Sequence, residues 1–231
     1  MNNRVIVIGS NHHNTLGVLR SLGERGVKPE LIITNDALNY VTTSKYVDSV
    51  YTIDSADDIV RTLQNLEQSD LKPIVICCDD KSIAEIDEHY DELSRSFHIP
   101  NAGRQGRINF LMSKLEQQKL ANEAGLLLPQ TWRIYGNTTL PTDVVYPCIV
   151  KTDSSIDGGK AVIRVCYNRD ELKNSTTRSV EYIIQEYIEK EYELNVVACS
   201  LNNVKDIVLP GVIHKIPEYP AKGGSSSFFG A

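Results

Sequence analysis

Short apolar runs alternate with helix-like segments through the first part of the chain. The first run, 4–8, is followed by a segment from about Asn14 to Arg25 whose leucines fall on one face, and then by the apolar run 30–34. Gly26 stands just after the helical segment, where a left-handed glycine commonly ends a helix. Runs that are apolar on both faces, separated by an amphipathic helix, predict a parallel sheet covered by helices.

The same alternation continues to about residue 100. The run Val50 to Ile53 precedes a predicted helix at 56–67, and the run Pro73 to Cys78 precedes a second predicted helix. The apolar residues of that second helix share one face: Ile83, Ile86, Tyr90 and Leu93. This part of the chain is therefore predicted to be a small doubly wound domain with a parallel sheet.

From Ile108 the pattern changes to one long helix followed by short strands. The helix opens with Ser113 and Glu116, which match a capping box, and Gly125 and Pro129 are typical of its end. A short helix is predicted at about 169–174, and the predicted strands are 131–134, 147–151, 161–166, 182–188 and 193–201. Helices and strands that do not alternate regularly predict a second unit of the α+β class.

The composition is that of a globular, acidic protein. The 231 residues are 41% hydrophobic, which suffices for a buried core, while no apolar run reaches the ~18 to 20 residues of a membrane-spanning helix. With 24 basic and 30 acidic residues the net charge is −6, which argues against nucleic acid. Five cysteines without a CxxC pair favour neither a disulfide framework nor a zinc site. These features predict a cytoplasmic protein with no nucleic-acid or membrane partner.

The first predicted turn, Gly9 to Thr15, contains a single glycine. Backbone amides approach a dinucleotide pyrophosphate through several glycines, so this turn argues against NAD. Either Asn14 or Thr15 caps the helix that follows, or the turn binds a small polar substrate. His12 and His13 are adjacent, and adjacent side chains rarely converge on one metal ion, so a metal site here is disfavoured.

Asp79 and Asp80 follow the predicted strand that ends at Cys78. The carboxyl ends of parallel strands form the edge where ligands usually bind, so one interpretation of the two aspartates is a ligand contact. The other interpretation is that one of them caps the helix that follows.

The stretch Tyr146 to Lys160 combines a lysine on a strand with a glycine-rich turn. Lys151 ends a strand that is otherwise apolar, and Gly158 and Gly159 directly precede Lys160. A lysine on a rigid strand and a glycine loop with a second lysine are the parts of a phosphate clamp. An ordinary hairpin with the same residues is the alternative.

Lys114 is predicted to occupy the first position of the long helix, directly after Ser113. The positive end of a helix dipole disfavours a cation by about 0.3 to 1 kcal/mol, and a bound anion would reverse that sign. A lysine extended into water is the alternative.

The segment Ile183 to Ala198 contains two strand-like runs with an acidic link between them. It could present backbone amides to an adenine edge, while Glu191 accepts hydrogen bonds from a ribose.

Taken together, these segments resemble the ATP-grasp superfamily. YPCIVKTDSSIDGG and KEYELNVV look like stretches of the large subunit of carbamoyl phosphate synthetase, and the order of elements is similar to that of biotin carboxylase. The resemblance implies a Rossmann-like pre-ATP-grasp domain at 1–110, the ATP-grasp N-terminal subdomain at 111–188 and the start of the C-terminal subdomain at 189–231. The α+β ATP-grasp domain would then be truncated.

The resemblance also implies a nucleotide site whose residues carry over by position. Two lysines would bind the phosphates, Lys114 and Lys151. A flexible loop would cover them, formed by Gly158, Gly159 and Lys160. The adenine would meet the hinge residues Gln185, Glu186, Tyr187 and Ile188, and the ribose would meet Glu191. Either Gln185 or Glu186 would face the base amine.

On this resemblance, the full-length protein is an ATP-dependent carboxylate-amine ligase. ATP would activate a small-molecule carboxylate as an acyl phosphate, which an amine then captures. The magnesium ligands of the family have no match up to Ala231, so Mg²⁺ is expected to bind downstream and this chain alone is expected to be inactive. ATP-grasp ligases are often dimers, so a homodimer is an open alternative.

Two other interpretations of the chain stay open. A non-catalytic nucleotide-binding module would be complete at Ala231, whereas the apolar pair within KGGSSSFFGA favours a cut inside a longer protein. A nicotinamide-dependent oxidoreductase would rest on the topology of the first domain alone, and the glycine-poor turn after Ile8 counts against it.

Overall fold

The computed structural model describes residues 3–34, 39–66, 70–153, 163–201 and 205–215, and the backbone at 218–219, 225–226 and 229–230. The chain divides into two compact units, Met1–Gln117 and Gln118–Ala231. Each unit has a sheet and a hydrophobic core of its own.

The first unit is built on a parallel sheet. Its strands are β1 (Val5–Gly9), β2 (Glu30–Thr34), β3 (Val50–Ile53) and β4 (Ile74–Cys77). They lie in the order β3-β2-β1-β4, and all three neighbouring pairs are parallel. Its helices in chain order are α1 (His13–Gly23), α2 (Asp58–Asn65), α3 (Asp80–Glu88), α4 (Tyr90–Leu93) and α5 (Arg107–Met112). The next helix, α6 (Lys114–Glu123), begins in the first unit and ends in the second. The predicted α/β class is confirmed.

Alternate residues of the central strands enter two different cores. Ile8 of β1 packs in the same cluster as Ile59 of α2, whereas Val7 packs in the same cluster as Leu19 of α1. Because successive side chains of a strand point to opposite faces, helices cover both faces of this sheet. The strands are apolar throughout for this reason, and the predicted doubly wound arrangement is confirmed.

The cap of α3 agrees with the prediction from the sequence, and the cap of α1 differs from it. Asp79 caps α3, because its carboxylate accepts a hydrogen bond from the Ser82 N–H at 2.8 Å. His12 caps α1 through Nδ1, which accepts from the Asn14 N–H at 3.3 Å, so the prediction of Asn14 or Thr15 as the cap is wrong. Thr15 is buried instead, and its hydroxyl donates to a backbone carbonyl at 2.8 Å.

Helix α6 has the predicted ends. Ser113 Oγ accepts a hydrogen bond from the Glu116 N–H at 3.4 Å. Gly125 has a φ of 74°, in the left-handed region, and the Leu126 N–H donates to the Ala121 carbonyl at 3.0 Å. These are the contacts by which a glycine ends a helix.

The second unit is built on an antiparallel sheet. Its elements are β5 (Thr131–Tyr135), β6 (Cys148–Thr152), β7 (Arg164–Cys166), α7 (Arg169–Ser175) and β8 (Glu181–Glu186). The strands lie in the order β5-β8-β6-β7, with every neighbouring pair antiparallel. One face of this sheet packs against α7, since Leu172 shares a core cluster with Val150 and Ile184. The predicted α+β character is confirmed.

Strands β9 (Glu193–Leu201) and β10 (Asp206–Lys215) form a further antiparallel ladder, with short pairs at β11 (Glu218–Tyr219), β12 (Ser225–Ser226) and β13 (Phe229–Gly230). Several apolar side chains of β9 and β10 are more than half exposed: Leu194, Val196, Ile207, Leu209 and Val212. None of the helices in the described ranges has the length and apolar character needed to cross a bilayer.

Candidate functional site

Strand β6 places Lys151 on the sheet face opposite to the hydrophobic core. Its neighbours Val150 and Thr152 are buried, and Val150 belongs to the core cluster. Successive strand residues alternate between faces, so the half-buried Lys151 lies on the other face. The strand continues to Thr152, so Lys151 stands within it rather than at its end. A cation on a rigid strand can meet an anionic ligand that lies on this face.

Gln185 of β8 lies on the same face as Lys151. The strand register pairs Ile183 with Lys151 and Gln185 with Ile149, and directly paired residues share a face of an antiparallel sheet. The Gln185 side chain is buried at 8% exposure, and its Nε2 donates a hydrogen bond to Thr131 Oγ1 at 3.1 Å. The structure thus brings two of the predicted site residues together on one face.

Thr131, the first residue of β5, holds the Gln185 amide. Its Oγ1 also accepts from Gln118 Nε2 at 2.9 Å and donates to the Pro129 carbonyl at 2.9 Å. The hydroxyl therefore uses its one donor and both of its acceptor positions. Thr131 was not predicted as a site residue, and its one signal in the sequence is a hydroxyl at the start of a predicted strand.

Glu186 is held differently from Gln185. Its N–H donates to the Gln130 carbonyl at 2.9 Å, and its carboxylate accepts from the Gln130 N–H at 3.4 Å. Its register partner is Cys148, a residue of the core cluster, so Glu186 is on the core side of the sheet. Of the two hinge residues, Gln185 is the one that shares a face with Lys151.

The chain leaves the sheet at Tyr187, whose N–H donates to the Pro147 carbonyl at 3.1 Å. The N–H groups of Glu186 and Tyr187 are thus used inside the protein, and Gln185 lies in a strand with neighbours on both sides. Ile188 is 56% exposed, and Glu191 is also exposed. Ile188 is therefore the most exposed of the four hinge residues.

Lys114 is the first residue of α6 and directly follows the capping Ser113. The predicted position at the positive end of the helix is confirmed, and the side chain is half-buried there. The predicted glycine loop, Gly158, Gly159 and Lys160, lies outside the residues that the structure describes.

The carboxyl edge of the parallel sheet is shaped by packing. A Cβ atom at Gly9 would lie 2.5 Å from Thr15 Oγ1 and 3.0 Å from Cys78 Cβ, so the lone glycine of the first turn lets α1 pack closely.

Burial raises the pKa of Cys77 to about 12, and burial together with the Asp79 carboxylate raises the pKa of Cys78 to about 11. Both side chains therefore remain thiols at neutral pH.

Comparison with known proteins identifies the fold. No family model and no curated protein matches the sequence. The L-amino acid ligase from Bacillus licheniformis is similar over 93% of this chain and 51% of its own, with a TM-score of 0.69 and 12% identity. Carboxyaminoimidazole ribonucleotide synthase from Aspergillus clavatus, solved with ATP, is similar over 94% and 55%, with a TM-score of 0.65 and 10% identity. D-alanine–D-alanine ligase from Bacillus anthracis is similar over 95% and 73%, with a TM-score of 0.55 and 15% identity.

These three proteins are ATP-grasp ligases, and at 10% to 15% identity the likeness concerns the fold. This chain spans about half the length of the L-amino acid ligase and of the synthase. The similar region covers 93% to 95% of the chain, more than either compact unit alone, so it extends over both units. The chain therefore has the ATP-grasp fold, over about half the length of the L-amino acid ligase and of the synthase.

Proposed function

We propose that this chain is the nucleotide-binding part of an ATP-grasp carboxylate-amine ligase. The observation that carries the proposal is the placement of Lys151 and Gln185 on one sheet face, opposite to the core, in a fold shared with an enzyme solved with ATP. A cation and a buried amide on the same face suit a ligand that combines anionic phosphates with a base.

The phosphates are proposed to bind to lysines. Lys151 contributes an ammonium group from a rigid strand, and Lys114 contributes another at the positive end of α6. The loop Gly158 to Lys160 is proposed to cover the phosphates with backbone N–H groups and a third ammonium. In phosphoryl transfer, positioning and charge stabilisation make up most of the catalysis, and these groups supply both.

The adenine is proposed to meet the hinge at Gln185 and Ile188. An adenine edge offers an amine that donates and a ring nitrogen that accepts. The Ile188 N–H can donate to the ring nitrogen. The Gln185 side chain has one acceptor atom, Oε1, and the hydrogen bond from Nε2 to Thr131 fixes its orientation, so Oε1 can accept from the amine. This selects Gln185 over Glu186, and the exposed Glu191 is proposed to accept from the ribose hydroxyls.

The whole enzyme is proposed to transfer a phosphoryl group from ATP to a small-molecule carboxylate, giving an acyl phosphate that an amine captures. Magnesium is expected beside the phosphates of such an enzyme. Across the described ranges, no group of three or more His, Cys, Asp or Glu side chains is arranged to hold a metal ion. The described residues thus do not fit the ion by themselves, and the roles proposed for the site residues are to bind and position the nucleotide.

Substitution of Lys151 by alanine tests this proposal. Charge-assisted hydrogen bonds worth about 1.5 to 3 kcal/mol would be lost, so ATP should bind about 10- to 150-fold more weakly. Isothermal titration calorimetry measures the affinity. The matched control is Lys173→Ala, which removes an exposed lysine from α7 of the same unit and should leave the affinity unchanged. Equal affinities of the two variants for ATP would refute the assignment of Lys151.

A further inference from the structure

Cys148 of β6 and Cys166 of β7 are directly opposite each other in the antiparallel ladder, and both side chains are buried. Directly opposed residues of such a ladder have Cα atoms about 4.5 to 5.5 Å apart. A disulfide joins residues whose Cα atoms are about 4.4 to 6.8 Å apart. The two sulfurs can therefore be joined with little movement of the backbone.

The surroundings of the pair make the two sulfurs chemically unequal. The pKa of Cys166 is lowered, mainly because the Cys148 thiol donates a hydrogen bond to its sulfur. Burial opposes this, the Ser175 hydroxyl at 3.6 Å supports it, and the Glu171 carboxylate and the Arg164 guanidinium act in opposite directions. The same hydrogen bond, together with burial, raises the pKa of Cys148. The hydrogen bond thus favours a thiolate on Cys166 over one on Cys148.

Strand β7 gives a small oxidant a way to reach the pair. It has three residues and lies at the edge of its four-stranded sheet, where it pairs with β6. Short edge segments open locally at a fraction of the free energy of global unfolding. A molecule close to water in size, such as hydrogen peroxide, needs only such a brief opening.

We propose that Cys148 and Cys166 form a redox modification site, which hydrogen peroxide converts into a reversible cross-strand disulfide. The Cys166 thiolate attacks one peroxide oxygen and breaks the O–O bond, giving a sulfenic acid and hydroxide. The Cys148 sulfur then attacks the sulfenic sulfur, forming the S–S bond as the S–O bond breaks. The leaving hydroxide takes up the Cys148 proton, and the first hydroxide takes up the proton that Cys166 had released. Two thiols and one peroxide thus give one disulfide and two waters, and none of these steps involves a nucleotide.

The other cysteines lack this arrangement. Cys77 and Cys78 are neighbours in sequence at the end of β4, so they are not an opposed pair from two strands, and both have raised pKa values. Cys199 lies on β9 and is exposed. Its register partner is Val208, so it has no cysteine opposite to it.

Peptide mapping of the oxidised chain tests the proposal. The folded 231-residue chain is treated with hydrogen peroxide, the remaining thiols are blocked with N-ethylmaleimide, and the peptides are analysed without reduction. We expect the predominant linked pair to join Cys148 to Cys166, with the loss of two hydrogen masses, and we expect dithiothreitol to separate it. A predominant link through Cys77, Cys78 or Cys199 would overturn the proposal, as would the absence of any link.

Two variants sharpen the test. Cys148→Ser should abolish the linked pair and leave a sulfenic acid on Cys166 that dimedone traps, whereas Cys199→Ser should form the pair as the wild type does. A link that forms in Cys148→Ser at the wild-type yield would overturn the proposal. The mapping of the wild-type chain involves no substitution, so it decides the question even where Cys148→Ser fails to fold.

Discussion

Replacing Thr131 by valine perturbs the contact that holds Gln185. The change keeps the shape of the side chain and its branching at Cβ, so β5 keeps its preference for extended backbone. It removes one hydroxyl, which accepts from Gln118 and Gln185 and donates to Pro129. The effect of the substitution is therefore the loss of hydrogen bonds rather than a change of packing.

The magnitude follows from the burial of each partner. Gln185 is 8% exposed, so leaving its N–H without an acceptor costs about 1 to 3 kcal/mol. Gln118 and Pro129 are half-buried, and water can replace part of what they lose, which adds about 0.5 to 1 kcal/mol. The free energy of unfolding of the second unit should fall by about 1.5 to 4 kcal/mol.

Trp132 makes the measurement specific to this sheet. It is the one tryptophan of the chain, it directly follows Thr131, and its Nε1 donates to Asp143 Oδ2 at 3.1 Å. Urea unfolding monitored by tryptophan fluorescence therefore reports on the surroundings of β5. The matched control is Thr177→Val, at an exposed position of the same unit, which should stay within about 0.5 kcal/mol of the wild type.

A Thr131→Val chain that unfolds with the midpoint and slope of the wild type would refute the reasoning. It would show that the Thr131 hydroxyl does not hold the Gln185 amide. Gln185 Oε1 would then not be held in place for the adenine amine by this hydrogen bond.

One further pair of variants tests the packing at Gly9, and a second pair tests ATP binding at Ile188. Gly9→Ala should lower the free energy of unfolding by about 1 to 3 kcal/mol, because its Cβ would lie 2.5 Å from Thr15 Oγ1 and 3.0 Å from Cys78 Cβ. Gly17→Ala, which meets nothing within 4 Å on α1, should raise it by about 0.5 to 1 kcal/mol, and equal shifts in circular dichroism melts would contradict the packing argument. Ile188→Pro removes a backbone N–H and should weaken ATP binding about 2- to 10-fold, whereas Ile188→Ala keeps the N–H and should bind normally. Equal calorimetric affinities of these two variants would exclude the adenine contact at Ile188.

Local signals in the sequence predicted the features that depend on neighbouring residues. Ser113 and Gly125 delimit α6 as expected, because a hydroxyl before a helix and a glycine after it act within one turn of chain. The cap of α1 was not predicted. An imidazole nitrogen of His12 takes the place of the Ser, Thr, Asn or Asp oxygen that usually accepts there, so the residue type gave no signal.

The arrangement of the candidate site depends on strand register, which local patterns do not contain. Thr131 and Gln185 are 54 positions apart and meet because β5 pairs with β8. The sequence shows that Lys151 follows the apolar Val150, but which face of the sheet α7 covers is set by the tertiary structure. The roles of Lys114, Glu191 and the loop Gly158 to Lys160 in nucleotide binding stay predictions.

An acyl phosphate derivative of ATP tests the nucleotide site most directly, because it transfers its acyl group to lysine amines that lie beside the bound phosphates. Peptide mapping after labelling then identifies those lysines. We expect Lys151 to be acylated, excess ATP to prevent this, and any acylation of the exposed Lys173 to be insensitive to ATP. Acylation of Lys151 that ATP does not reduce, or protection by ATP confined to Lys173, would contradict the proposed site.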